Sequence, residues 1–162
     1  MRKRERNEAA RALLNELLTD ELTTISQYTL WAHMCDHWGY EKLHEAMIKQ
    51  AKDEARHADM LVKRIMVLGC QPAPLRLNPI RVGKTAKDVV PEVREVELAS
   101  IREYNVAISL AKELGDDETA AILNQLLNME RGHEMWANNQ LPEIEEIDME
   151  SHVRALSGTS EI

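Results

Sequence analysis

Two short motifs recur in the chain at one common spacing, and that spacing restricts the fold more than any other feature. Glu21-Leu22-Thr23-Thr24-Ile25-Ser26-Gln27-Tyr28 is matched by Glu97-Leu98-Ala99-Ser100-Ile101-Arg102-Glu103-Tyr104, both reading E-L-x-x-I-x-x-Y. Glu54-Ala55-Arg56-His57 is matched by Glu130-Arg131-Gly132-His133, both reading E-x-x-H. Each pair is offset by 76 residues, 21 to 97 and 54 to 130. A register shared by two separate motifs implies two equivalent halves related by a pseudo-twofold axis. Four carboxylates and two imidazoles then sit symmetrically about it.

The residues around the motifs show helical periodicity. Over 8–38, Leu13, Leu14, Leu17, Leu18, Ile25, Tyr28, Leu30 and Trp31 recur at three- and four-residue spacing, and Gly39 ends the run. A second helix is predicted over 41–68, with Leu43, Met47, Ala51, Leu61 and Ile65 facing inward and Gly69 as its stop. Residues 70–86 carry Pro72, Pro74, Pro79 and Gly83 without periodicity and read as an extended crossover. A third helix is predicted over 88–114, with Pro91 in its first turn and Gly115 after its end. Asp116 caps a fourth over 116–140, stopped by Pro142, and 149–156 reads as a short amphipathic fifth helix. Two short connections and one long one make two antiparallel hairpins. The expectation is a single all-α domain over 1–162, a four-helix bundle with one long crossover, the arrangement of ferritin-like folds. The length suits one core, and 44% apolar residues suffice to fill it.

The spacing within the motifs has a chemical reading. Residues i and i+3 share a helix face, about 5–6 Å apart at Cβ, so Glu54 and His57 reach one metal together, as do Glu130 and His133. Glu21 and Glu97 sit mid-helix among apolar neighbours and are carried into the bundle. Four carboxylates in an apolar bundle are very costly without cations to pair with. A Glu from each of two helices with an E-x-x-H from each of the others is the pattern of di-iron and di-manganese carboxylate bundles. Tyr28 and Tyr104 read either as hydrogen-bond partners of these carboxylates or as core, the first being favoured. Glu41-Lys42-Leu43-His44 also reads E-x-x-H, but shifting it by 76 meets no histidine, so it is read as surface. His33, His37 and His152 lack repeat partners too and are read as structural or exposed.

Charge and cysteine content narrow the remaining classes. A net charge of −8, with Arg2-Lys3-Arg4 as the only basic run, argues against nucleic acid. Cys35 and Cys70 form neither a CxxC site nor a disulfide framework and read as reduced thiols. With no apolar stretch of spanning length or leader character, the expectation is a soluble cytoplasmic protein without membrane contact.

Along nearly its whole length the chain resembles bacterioferritin. The likeness is carried by Leu17-Leu18-Thr19-Asp20-Glu21-Leu22, Gln27-Tyr28, His37-Trp38-Gly39, the run Asp53-Glu54-Ala55-Arg56-His57-Ala58-Asp59, and Glu130-Arg131-Gly132-His133 with Trp136. The resemblance implies Glu21 and His57 as terminal ligands of one iron, Glu97 and His133 of the other, and Glu54 and Glu130 as bridges. It implies ferroxidase activity, two Fe per subunit, and a hollow shell of 24 subunits storing ferric mineral. Two positions depart from the family. Haem-binding members place a methionine directly after the helix-two glutamate, where this chain has Ala55, so haem is not expected there; Met47 and Met60 lie eight and five positions away. Lys49 stands where some members use an inward-facing histidine for an accessory iron. The ligand set also suits Mn or Zn, and either O2 or H2O2 as oxidant. Rival readings are a twelve-subunit mini-ferritin of the Dps-like type, a manganese catalase, or a rubrerythrin-type peroxidase, whose paired CxxC module is missing here. A purely structural bundle conflicts with the complete set of six ligand residues.

Overall fold

The computed structural model describes residues 3–73 and 76–157, with side chains described to Glu146 for most of them. Pro74 and the side chain of His152 lie outside the described residues. Four helices follow one another: α1 (Lys3–His37), α2 (Glu41–Val67), α3 (Ala86–Glu113) and α4 (Asp117–Ser157). No strand occurs among the described residues. None of these helices is long and apolar enough to cross a membrane.

The first three helices end by one device. Gly39, Gly69 and Gly115 have φ of 86°, 71° and 70°. The amide after each glycine donates back to a carbonyl in the last helical turn, Tyr40 to Cys35, Cys70 to Ile65 and Asp116 to Ala111. The left-handed backbone needed there carries little penalty for glycine. Three-residue connections then fold α2 back on α1 and α4 back on α3, while α1 meets α3 and α2 meets α4 across the bundle. This is the expected four-helix bundle with one long crossover.

Helix bounds differ from the periodicity reading in three places. The first helix begins at Lys3, five residues before the apolar pattern does. Thr85 precedes the first residue of α3, and the Asp88 carboxylate accepts its N–H at 2.9 Å, so Pro91 falls at the sixth helical position instead of the first turn. At the other end, α4 runs through Pro142 to Ser157, so the break at 140 and the separate fifth helix over 149–156 do not exist. Proline removes one helical hydrogen bond and crowds the preceding turn, but packing on both sides outweighs that here. Leu141 and Ile144 both lie against the core, and Ile144 is buried.

The apolar interior is in two parts. One gathers Leu14, Leu18, Leu61, Ile65, Ile108, Leu123 and Leu126. The other gathers Trp31, Met47, Val89, Val93, Ala137 and Ile144. In every helix the motif glutamates and histidines fall between the stretches that feed these two clusters. A charged layer thus crosses the middle of an apolar bundle.

The crossover is held by polar side chains of α1. The Gln27 amide donates to Arg81 O at 2.7 Å and its Oε1 accepts the Arg81 N–H at 2.6 Å. Thr23 Oγ1 accepts from Asn78 N–H at 2.9 Å, and Asn15 Oδ1 from Ala73 N–H at 2.9 Å. Residues 15, 23 and 27 share one stripe of the helix, which satisfies a strand-less backbone that would otherwise lack partners.

Candidate metal centre

All six motif ligands meet in that middle layer. Glu21 comes from α1, Glu54 and His57 from α2, Glu97 from α3, and Glu130 and His133 from α4. All are buried, from 0% exposed for His57 and Glu97 to 8% for His133. They form two groups, Glu21–Glu54–His57–Glu130 and Glu54–Glu97–Glu130–His133, within each of which one ligand atom per residue lies within 4.8 Å of all the others. Glu54 and Glu130 belong to both groups, the position a bridge occupies.

The same partners recur across the pseudo-twofold axis, at distances that differ by up to about 1 Å. His57 Nδ1 lies 2.8 Å from its own Glu54, 2.8 Å from Glu130 of the opposite motif, and 3.6 Å from Glu21. His133 Nδ1 lies 3.8 Å from its own Glu130, 3.0 Å from Glu54, and 3.8 Å from Glu97. The two imidazoles stack with centroids 6.0 Å apart. The tyrosines cross over in the same symmetry: Tyr28 donates to Glu97, and Tyr104 to Glu21. Residues 28 and 104 are themselves 76 apart, so the second halves of the two motifs hold the first.

Burial and crowding decide the charges. Desolvation pushes the Glu21 carboxyl up to about 8, with His57 pulling the other way. Desolvation, reinforced by Glu130 and Glu54, holds Glu97 well above the carboxyl range. Glu130 is raised by burial to about 7. Burial raises Glu54 too, but the imidazoles of His133 and His57 overcome it and bring it down to about 2. For His57, burial is outweighed by Glu130, Glu21 and Glu54, which push it to about 12. Burial also raises Tyr28 and Tyr104, which stay neutral donors. Without a cation the layer therefore survives by keeping protons on groups that ordinarily lose them.

Despite these short separations, both oxygens of Glu54, Oε2 of Glu97, Oε1 of Glu130 and Nδ1 of each histidine have no hydrogen-bond partner. Buried polar atoms are almost always paired, and so many orphans facing one small volume make a donor set that could hold a metal ion. Carboxylates with imidazole are the ligands that iron, manganese and zinc accept.

The sequence family described as the ferritin-like domain matches residues 11–147. The bacterioferritin of Mycolicibacterium paratuberculosis is 34% identical over 138 residues, 85% of this chain and 87% of that protein. The chain belongs to the ferritin-like family, among the bacterioferritins. A second bacterioferritin, from Streptomyces coelicolor, is 37% identical over 83% of this chain and 80% of its own length. A crystal structure of the Desulfovibrio desulfuricans bacterioferritin, described with its diiron site in different catalytic states, superposes with a TM-score of 0.86 at 26% identity. It covers 90% of this chain and 85% of that one.

Other motif residues of this ferritin-like chain stay away from the layer. His33 and His37 are exposed on α1. His44, read from sequence as surface, is half-buried instead: its Nδ1 is 3.0 Å from Ala32 O and its ring lies 5.4 Å from that of His33. The short α1–α2 turn brings it there. Ala55 and Lys49 are both exposed on α2. One buried carboxylate escapes the motif reading. Asp53 is 5% exposed, pairs with Arg56, and places Oδ2 3.5 Å from His133 Nε2. Its 76-residue counterpart is Met129, so the repeat that reveals the ligands conceals it.

Proposed function

We propose that this bacterioferritin relative is a ferroxidase that oxidises Fe2+ at a two-metal site within each chain and stores the ferric product inside a shell of its own subunits. The observation that carries the reading is the set of buried ligand atoms left without hydrogen-bond partners around one volume. Glu21 and His57 hold one iron, Glu97 and His133 the other, and Glu54 and Glu130 span both. Mn2+ or Zn2+ fits the same ligands as a substitute. Two Fe2+ together supply the two electrons that, with two protons, take O2 to H2O2 or H2O2 to two waters. The diiron site of the D. desulfuricans relative supports this assignment.

The chain's own residues supply geometry and charge. Tyr28 holds Oε1 of Glu97 and leaves Oε2 toward His133, while Tyr104 holds the Glu21 oxygen that also lies 3.6 Å from His57. The four carboxylates bring negative charge that favours Fe3+ over Fe2+. Protons held on Glu21, Glu97 and Glu130 leave as cations enter. Ala55 cannot ligate haem, since its methyl group offers no axial donor. Anaerobic Fe2+ titration of the assembled protein, followed by equilibrium binding, tests the assignment. Saturation at two Fe2+ per chain is expected, and saturation at one or none contradicts it.

A further inference from the structure

The two halves of the metal layer match in their ligands but not in what stands behind the histidines. His133 turns Nε2 toward the buried Asp53 carboxylate, 3.5 Å away. That carboxylate is held from behind by Arg56 and by Lys49, whose Nζ is 3.6 Å from the same oxygen. His57 has no such neighbour: its Nε2 is buried with no hydrogen-bond partner. The residue 76 positions after Asp53 is Met129, a half-buried thioether that is at best a weak acceptor.

This difference bears directly on metal binding. In both histidines Nδ1 is the nitrogen that faces the ligand cluster. For Nδ1 to offer its lone pair to a cation, the ring proton must sit on Nε2. At His133 the Asp53 carboxylate stands 3.5 Å from Nε2, an acidic acceptor that favours this tautomer and raises the donor strength of the ring. At His57 the same tautomer strands a buried donor, a state that costs free energy.

We propose that the two metal positions are inequivalent: the Glu97–His133 position binds divalent cations more tightly and fills first, and Asp53 is the positioning residue responsible. The inference rests on the two-metal reading above and adds an order to it. Partners behind metal-bound histidines are worth about ten- to a hundredfold in affinity, and a difference of that size is expected between the two positions.

The test is anaerobic Co2+ titration of the assembled protein, read by its ligand-field absorption, in chains that retain one position each. Glu21→Ala keeps the Glu97–His133 position and Glu97→Ala keeps the Glu21–His57 position. Co2+ should bind the first at least about tenfold more tightly than the second. Adding Asp53→Ala should abolish that advantage in the Glu21→Ala chain and leave the Glu97→Ala chain unchanged, with Asp53→Asn giving a smaller loss. Adding Met129→Asp should tighten binding in the Glu97→Ala chain, a gain that damage to the fold cannot produce. Equal affinities in the two single-position chains, an equal loss from Asp53→Ala in both, or no gain from Met129→Asp would each overturn the inference. Failure of the unmutated protein to bind two Co2+ per chain would overturn the two-metal reading itself, whereas two bound with identical constants overturns only the order.

Discussion

At the residue scale the centre is a compromise between burial and charge, and that compromise makes the metal-free protein sensitive to pH. An unfolded Glu21 loses its proton near 4.5, whereas in the fold it keeps it to about 8, and Glu130 keeps its own to about 7. Between 4.5 and 8 the folded chain therefore binds more protons than the unfolded one, and stability falls as pH rises through that window. His57 acts in the same direction above its ordinary 6.5, since the fold holds its charge to about 12. Glu54, lowered to about 2, opposes this only in acid, where its contribution is lost as pH falls below 4.5. Thermal unfolding of the metal-free protein should thus occur at a lower temperature at pH 8.5 than at pH 5.5, and added Zn2+ should restore more stability at the higher pH. A metal-free midpoint that rises between those pH values contradicts the charge states assigned. That the six candidate ligand residues meet was legible because chemistry fixed their type and the repeat fixed their place. Asp53 was not, because its counterpart is Met129 and a single buried aspartate has no periodic signature.

At the scale of elements, the helices declared themselves through glycine stops and apolar spacing, and the errors fell where tertiary packing overrides local preference. Pro142 ought to end α4 by local rules, yet Ile144 is buried two residues beyond it and the helix continues. Nothing in the spacing of the crossover said how it would be held, because its partners are side chains on the polar stripe of α1. Gln27 is the central one: it is 3% exposed and satisfies both the N–H and the C=O of Arg81. Gln27→Ala leaves two backbone groups without their partners, and each such group costs about 1–3 kcal/mol when it stays buried. Arg81 is itself exposed, so water takes up part of this, and chemical denaturation should show a loss of about 1–2 kcal/mol relative to the unmutated chain, with the helical content of the folded state unchanged. A loss under about 0.5 kcal/mol, the range of an ordinary surface change, would mean that the crossover is held by its other contacts.

At the scale of the whole molecule, the single chain leaves apolar side chains in water, among them Val67 at 70%, Val82 at 69% and Val106 at 67% exposed. A shell of 24 chains of 18.5 kDa has a mass of about 440 kDa and one of twelve about 220 kDa. Sedimentation of the protein expressed with haem available should give the larger particle without a Soret band, and Ala55→Met should introduce one. The smaller mass would favour the mini-ferritin assembly, and a Soret band in the unmutated protein would refute the part given to Ala55. The central claim, that Glu54 and Glu130 join two irons in one reacting unit, is tested most directly by stopped-flow oxidation of two Fe2+ per chain by O2 and by H2O2. Glu54→Ala and Glu130→Ala, each folded as judged by helical content, should lose the rapid phase with at least one oxidant that the unmutated protein uses, by about a hundredfold or more (about 2.7 kcal/mol of barrier). An unmutated initial rate in either variant would contradict the account.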